Sequence, residues 1–295
     1  MMKNSKENLT VGKLLGVFLP MFLCLLVIRF VEVARGIDAA TGFFKVQSPL
    51  HGLFYAFVIA CGAVLIIGSF LSKPAGGIRT IGFRSPWLCV MSVLTALAFL
   101  LDSYGAFRQH AAIGTVGVTF REKMSSGALP LTLQGVFALL SAAYFIVLAI
   151  SYKKGSLLAK KARILALSPI CWAAFRMIRH FVRKISFVKV SDLFFEILML
   201  GCMMLFFMAF ASVTSGIYSD GAAWRIIGYG LPAALLAGML SLPRMVFTLI
   251  DKAAYINENH PLNPVDCLFF CFVLLLCVTA ARLPQTAQPQ EAPAA

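Results

Sequence analysis

A chain of 295 residues with 60% apolar side chains, 13% charged ones and a mean hydropathy of +0.87 has too little polar surface for a water-soluble globule. Its formal net charge of +14 is dispersed along apolar segment boundaries, with no soluble basic domain. A nucleic-acid-binding module is thereby excluded, and the partner that composition points to is a lipid bilayer.

Crossing a hydrocarbon layer about 30 Å thick takes roughly 20 helical residues. Apolar runs of that order lie at about 13 to 35, 52 to 72, 87 to 107, 130 to 152, 162 to 183, 192 to 215, 225 to 250 and 265 to 283. None alternates with period two, and in lipid each backbone amide must find its partner within its own segment or a closed barrel, so the runs predict helices. The expected fold is all-α, a polytopic transmembrane bundle of about eight spans. Residues 1–12 form an N-terminal tail, 13–283 a single bundle, and 284–295, rich in Pro, Ala and Gln, a disordered tail.

Span 1 follows Lys3, Lys6 and Lys13 and so has the outline of a secretory signal. Arg29, Glu32 and Arg35 occupy the stretch where a cleavage region is uncharged, which favours an uncleaved helix. Within it Arg29 and Glu32, at i and i+3, form a local ion pair.

The fifth run contains the ambiguity. Its uninterrupted apolar part, "ILALSPICWAAF", has about half the length of a span, and Arg176, Arg179, Arg183 and Lys184 follow it. A re-entrant or interfacial segment at 162–183 would give seven spans instead of eight. Spans 5 and 6 are joined by a short turn, and Arg179 and Glu196 are equally far from its midpoint, which predicts a pair at the same depth. Arg176, one turn deeper, has no evident local partner.

In span 7, Gly230, Ala234 and Gly238 are spaced by four and permit close helix contact. Pro232 and Pro243 interrupt one face and predict two kinks. The alternative reading has carbonyls freed near Pro243 lining a solute path beside Arg244.

Eight cysteines all fall within spans and read as small packing residues. Cys267 and Cys271 are one turn apart, yet no third ligand lies at metal spacing, so neither metal nor cofactor is expected. No phosphate-binding glycine loop, HExxH helix or nucleophile elbow occurs, so no catalytic residue is assigned and a non-enzymatic role is expected.

Lysines and arginines divide evenly between the two faces of an eight-span topology, so the positive-inside rule does not choose. Acids do not divide evenly. The basic loops "YKKGSLLAKKAR" and "SKPAGGIRTIGFRS" carry none, and they suit an anionic cytoplasmic leaflet. Both termini are therefore expected in the cytoplasm, and the membrane is expected to be the cell membrane.

Ionisable residues within spans cost about 2.5–3.5 kcal/mol each at the bilayer centre. Arg29, Glu32, Asp102, Arg176, Arg179, Glu196 and Arg244 would all fall in one half of an up-and-down bundle, where His51, Tyr55 and Gln134 join them. Two readings follow. One is a set of structural ion pairs with snorkelling side chains, Asp102 pairing with Arg29 or Arg244. The other is a polar vestibule of Asp102, Arg176, Arg179, Glu196, Arg244, Tyr55 and Gln134 that holds a small polar or anionic solute.

The run from "SPICWAAFRMIRHF" through "SDLFFEILMLGCMMLFFMAFASVTSGI" to "YGLPAALLAGMLSLPRMV" resembles stretches of uncharacterised bacterial multi-span membrane proteins. The resemblance covers about half the chain and implies no activity, cofactor or site. Three roles are open: a carrier or binder of a solute, a sensor or accessory subunit beside a membrane protein partner, and an intramembrane enzyme.

Overall fold

The computed structural model describes residues 11–36, 49–71, 84–113, 119–155, 162–182, 190–217, 222–250 and 262–282. Both tails, most of the two basic loops, and Arg183 and Lys184 lie outside the described residues, as does the side chain of His51. Nine α-helices make up the described chain: α1 (Val11–Gly36), α2 (Pro49–Leu71), α3 (Pro86–Ile113), α4 (Phe120–Ser125), α5 (Ala128–Lys154), α6 (Ser168–Val182), α7 (Val190–Thr214), α8 (Ala222–Leu249) and α9 (Pro264–Arg282). No strand occurs among the described residues.

Helix ends follow local chemistry. Ser85 and Asn263 stand immediately before Pro86 and Pro264, so each of these two helices opens with a polar side chain followed by a proline at the first helical position. Ser85 Oγ accepts from Leu88 N at 3.4 Å and Asn263 Oδ1 from Val265 N at 2.9 Å. The short α4 carries a capping box between Thr119 and Glu122. Helix α5 stops at Gly155, whose φ of 65° is left-handed and whose N–H returns to the Ser151 carbonyl.

Seven of the helices, all but α4 and α6, are long and apolar enough to cross a membrane. Contacts at their ends give the direction of each. At one end, Ser85 N donates to the Tyr152 carbonyl, placing the start of α3 by the end of α5, and Phe70 meets Trp224, placing the end of α2 by the start of α8. At the other end, Arg29 of α1 lies over Phe54 of α2, Tyr55 of α2 packs on Phe195 of α7, and Gln134 of α5 bonds Asp102 of α3.

Helix α5 therefore leaves the second end and α7 starts from it, so the chain between them must return through the bundle. The return is α6. Its 15 residues span only about 22 Å, short of a hydrocarbon thickness, and 3-10 turns over Leu165–Leu167 precede it. The seven-span and eight-span readings thus meet: seven long apolar helices, and an eighth, short and amphipathic, that completes an antiparallel bundle. The start of α1 and the end of α9 consequently fall at the same end.

The axis is α8, of whose most apolar window 89% is buried, against 28% for α1 and for α2. Pro232 and Pro243 both lie inside this one continuous helix. Small residues let its neighbours in. A Cβ on Gly230 would meet the Phe206 ring at 2.9 Å, and one on Gly238 would meet both Phe22 and Phe270 at 2.8 Å. Those two rings are buried and pack on each other at 4.9 Å, so neither has room to withdraw. Gly238→Leu is expected to destabilise the protein by about 1–3 kcal/mol, whereas Gly62→Ala, whose Cβ meets nothing within 4 Å, should be neutral or stabilising. Thermal unfolding in one detergent compares the two.

Candidate functional site

The buried charged residues among the described ones are Arg29, Glu32, Arg176, His180, Glu196 and Asp266. All sit in the half of the bundle where α1, α3, α6 and α8 end and α2, α5, α7 and α9 begin. Buried polar side chains toward the opposite end are hydroxyls, such as Tyr144, which shares a hydrogen bond with Thr214 at 2.9 Å. Burying charge is affordable only with partners, and the partners specify the site.

Arg29 and Glu32 form the pair expected from their spacing, Nη1 donating to Oε2 at 2.6 Å. The rest of the network gathers around α6. Trp172, Arg176 and His180 are four residues apart and form one buried stripe along that helix. Trp172, packed edge-on against Phe99 at 5.0 Å, donates from Nε1 to Asp102 Oδ2 at 2.7 Å. One turn on, the Arg176 guanidinium lies over the Trp172 ring and grips Asp266 with two hydrogen bonds of 2.6 and 2.7 Å. This fork-to-fork geometry is the strongest form of carboxylate recognition by a side chain. One further turn on, His180 Nε2 is 3.3 Å from Glu196.

Glu196 also accepts from Arg244 Nη1 at 2.7 Å and lies 3.9 Å from Arg176. Glu196 thus meets Arg244, which arrives from α8, as well as Arg176 and His180 of α6. Equal distance from a turn sets depth but not rotation about the helix axis, and rotation decides which cation faces the acid.

Asp102 is held differently. Ser103 donates to the Gly135 carbonyl at 2.9 Å, and a Cβ on Gly135 would meet the Phe107 ring at 3.1 Å, so α3 and α5 approach closely there. That crossing brings Gln134 Nε2 to Asp102 Oδ2 at 3.0 Å. Asn263 donates to Asp102 Oδ1 at 2.7 Å with the same side chain that caps α9. Asp102 therefore binds α3, α5, α6 and the entry to α9 together through neutral donors.

These groups wall a cavity of about 250 Å³, the volume of roughly eight waters at about 30 Å³ each. Asp102, Gln134, Arg176, Arg179 and Glu196 line it, joined by Gly105, Gln109, His180 and Asn263 and by apolar Leu101, Ala106, Leu262 and Pro264. Of the residues read as a vestibule, Arg244 acts behind the wall through Glu196, and Tyr55 packs against Phe194 and Phe195 instead. Pro243 is not among the lining residues.

Sequence reasoning missed Asp266, Trp172 and Asn263. Asp266 lies just inside the predicted run at 265 to 283 but carried no role there; the Asn-Pro before it is a helix-start signal that places it in the first turn of α9, where a carboxylate is favoured by the helix dipole. Trp172 and His180 were legible only as the i−4 and i+4 neighbours of Arg176.

Fold and site together define a multi-pass helical membrane protein with a charged cavity in one half of its bundle. Comparison with known protein families, curated proteins and solved structures finds no match.

Proposed function

We propose that the chain is a non-enzymatic carrier or binding protein for a small polar solute, with the cavity between α3, α5, α6, α7 and the start of α9 as its site. The observation that supports this reading is a 250 Å³ space with carboxylate, amide and guanidinium groups on its wall, in the half of the bundle that holds the buried charge. Structural ion pairing alone calls for no such space, since Arg176 and Arg244 already meet their carboxylate partners directly.

Arg176 and Arg244, the cations expected to hold an anionic solute, are engaged by Asp266 and Glu196, and Arg179 also lines the cavity. We place the end that carries both tails in the cytoplasm of a cell membrane, on its acid-free basic loops, where anionic lipid headgroups are the natural partners. The cavity then faces the opposite side.

Gly105 offers a direct test, because it lines the cavity and a Cβ there meets nothing within 4 Å. Gly105→Trp should fill the space without touching the ion pairs. In a thermal-shift screen of small polar solutes, the parent should be stabilised by at least one, and the variant by none, with the two unfolding midpoints alike in the absence of solute. Identical solute profiles for parent and variant would remove the cavity from the function.

A further inference from the structure

The wall of the cavity has unmet acceptors at one spot. Asp102 receives three hydrogen bonds, from Gln134 Nε2, Trp172 Nε1 and Asn263 Nδ2, and all three donors are neutral. A carboxylate offers about four acceptor positions, so one on Oδ1 stays open. Among the described residues no cation forms an ion pair with Asp102, and Arg176 on the same wall acts on it only at longer range, whereas Asp266 and Glu196 both hold arginines directly.

Beside it, Gln134 is 1% exposed and lines the same cavity, and its Oε1 has no donor among the described residues. A buried acceptor left in that state costs about 1–3 kcal/mol. Rotating the amide does not relieve it. The flip would set Oε1 against the Asp102 carboxylate, acceptor against acceptor, so Asp102 fixes the orientation in which the amide nitrogen faces the acid.

A negative charge and an amide oxygen, side by side and both short of donors, specify their complement. It carries several N–H groups and a positive charge. A primary ammonium has three donors and no acceptor. An alcohol brings one donor and no charge, and a carboxylate brings acceptors to a place that already has too many. Leu101, Ala106, Leu262 and Pro264 supply apolar wall for a short carbon skeleton.

We infer that the cavity recognises the ammonium group of a small amine, seated between Asp102 and Gln134. This rests on the proposed solute-binding role and deepens it by naming the solute class. Asp102 supplies charge and Gln134 supplies direction. Trp172 and Asn263 are positioning residues that hold the carboxylate still.

The test uses the full chain in detergent at neutral pH and three matched triads: butylamine, 1-butanol and butyrate; hexylamine, 1-hexanol and hexanoate; and 2-phenylethylamine, 2-phenylethanol and phenylacetate. Thermal unfolding is read with each compound at equal concentration. At least one amine should raise the midpoint by several degrees over its alcohol and carboxylate partners. Asp102→Asn, which keeps the shape but removes the charge and turns one acceptor oxygen into a donor, should erase the difference, and Gln134→Met should reduce it at least tenfold in apparent affinity. Should Asp102→Asn fail to fold, Gln134→Met alone carries the comparison, and an unchanged amine preference there overturns the inference. Preference for an alcohol or a carboxylate overturns the ammonium assignment and leaves the solute site standing. Stabilisation by none of the nine compounds counts against both.

Discussion

Asp266→Ala is expected to be among the most damaging single substitutions in this protein, costing about 3–5 kcal/mol of stability, because it strands a buried guanidinium. Arg176 and Asp266 have side chains only 4% and 3% exposed, and two hydrogen bonds join them. Removing one partner leaves the desolvation of the other uncompensated. Replacing both with apolar residues of similar volume removes the penalty along with the pair, so Arg176→Met combined with Asp266→Leu should recover most of the loss. Unfolding midpoints of the two singles and the double in one detergent decide the matter. A double variant as unstable as the sum of the singles would show that the pair does not act as a unit.

The second large effect is expected at Glu196, where three helices meet through one carboxylate. Arg244 from α8 donates at 2.7 Å, His180 from α6 lies at 3.3 Å and Arg176 at 3.9 Å. Glu196→Gln keeps the shape and removes the charge that balances them, with an expected cost of about 3 kcal/mol. A double-mutant cycle of Glu196→Gln with Arg244→Met should give a coupling energy of about 1–3 kcal/mol, larger than the cycle of Glu196→Gln with Arg179→Met. The reverse order would restore the hairpin pairing read from sequence.

The helical class was legible because hydrocarbon imposes a simple length rule, and the predicted spans fall within a few residues of α1, α2, α3, α5, α7, α8 and α9. The fifth run could not be settled by that rule. Its apolar stretch is short because α6 is amphipathic, and its arginines are tolerable at depth only through Asp266 and Glu196, which belong to other helices. Direction, not composition, resolved it: α5 ends at one side of the bundle and α7 starts at the other.

Among site residues, local pairs were readable and distant ones were not. Arg29 and Glu32 lie one turn apart, and spacing alone brings them together. Asp102 and Gln134 were assigned to the same half from their places in the chain, but their hydrogen bond depends on the close crossing at Ser103 and Gly135, a tertiary event. Tyr55 shared that depth and faced elsewhere, its ring taken by Phe194 and Phe195. Depth follows from chain position; helix rotation follows from packing.

That a solvent-reached cavity occupies one half of the bundle is tested most directly by cysteine accessibility in sealed vesicles. Cysteine introduced at Gly105 samples the cavity wall, and cysteine at Ala138 samples the fully buried middle of α5. After subtraction of the parent's own labelling, a membrane-impermeant thiol reagent should modify the Gly105→Cys protein from one side of the membrane only and leave Ala138→Cys untouched. Labelling of Gly105→Cys from neither side, or equally from both, would contradict a cavity that opens to a single face.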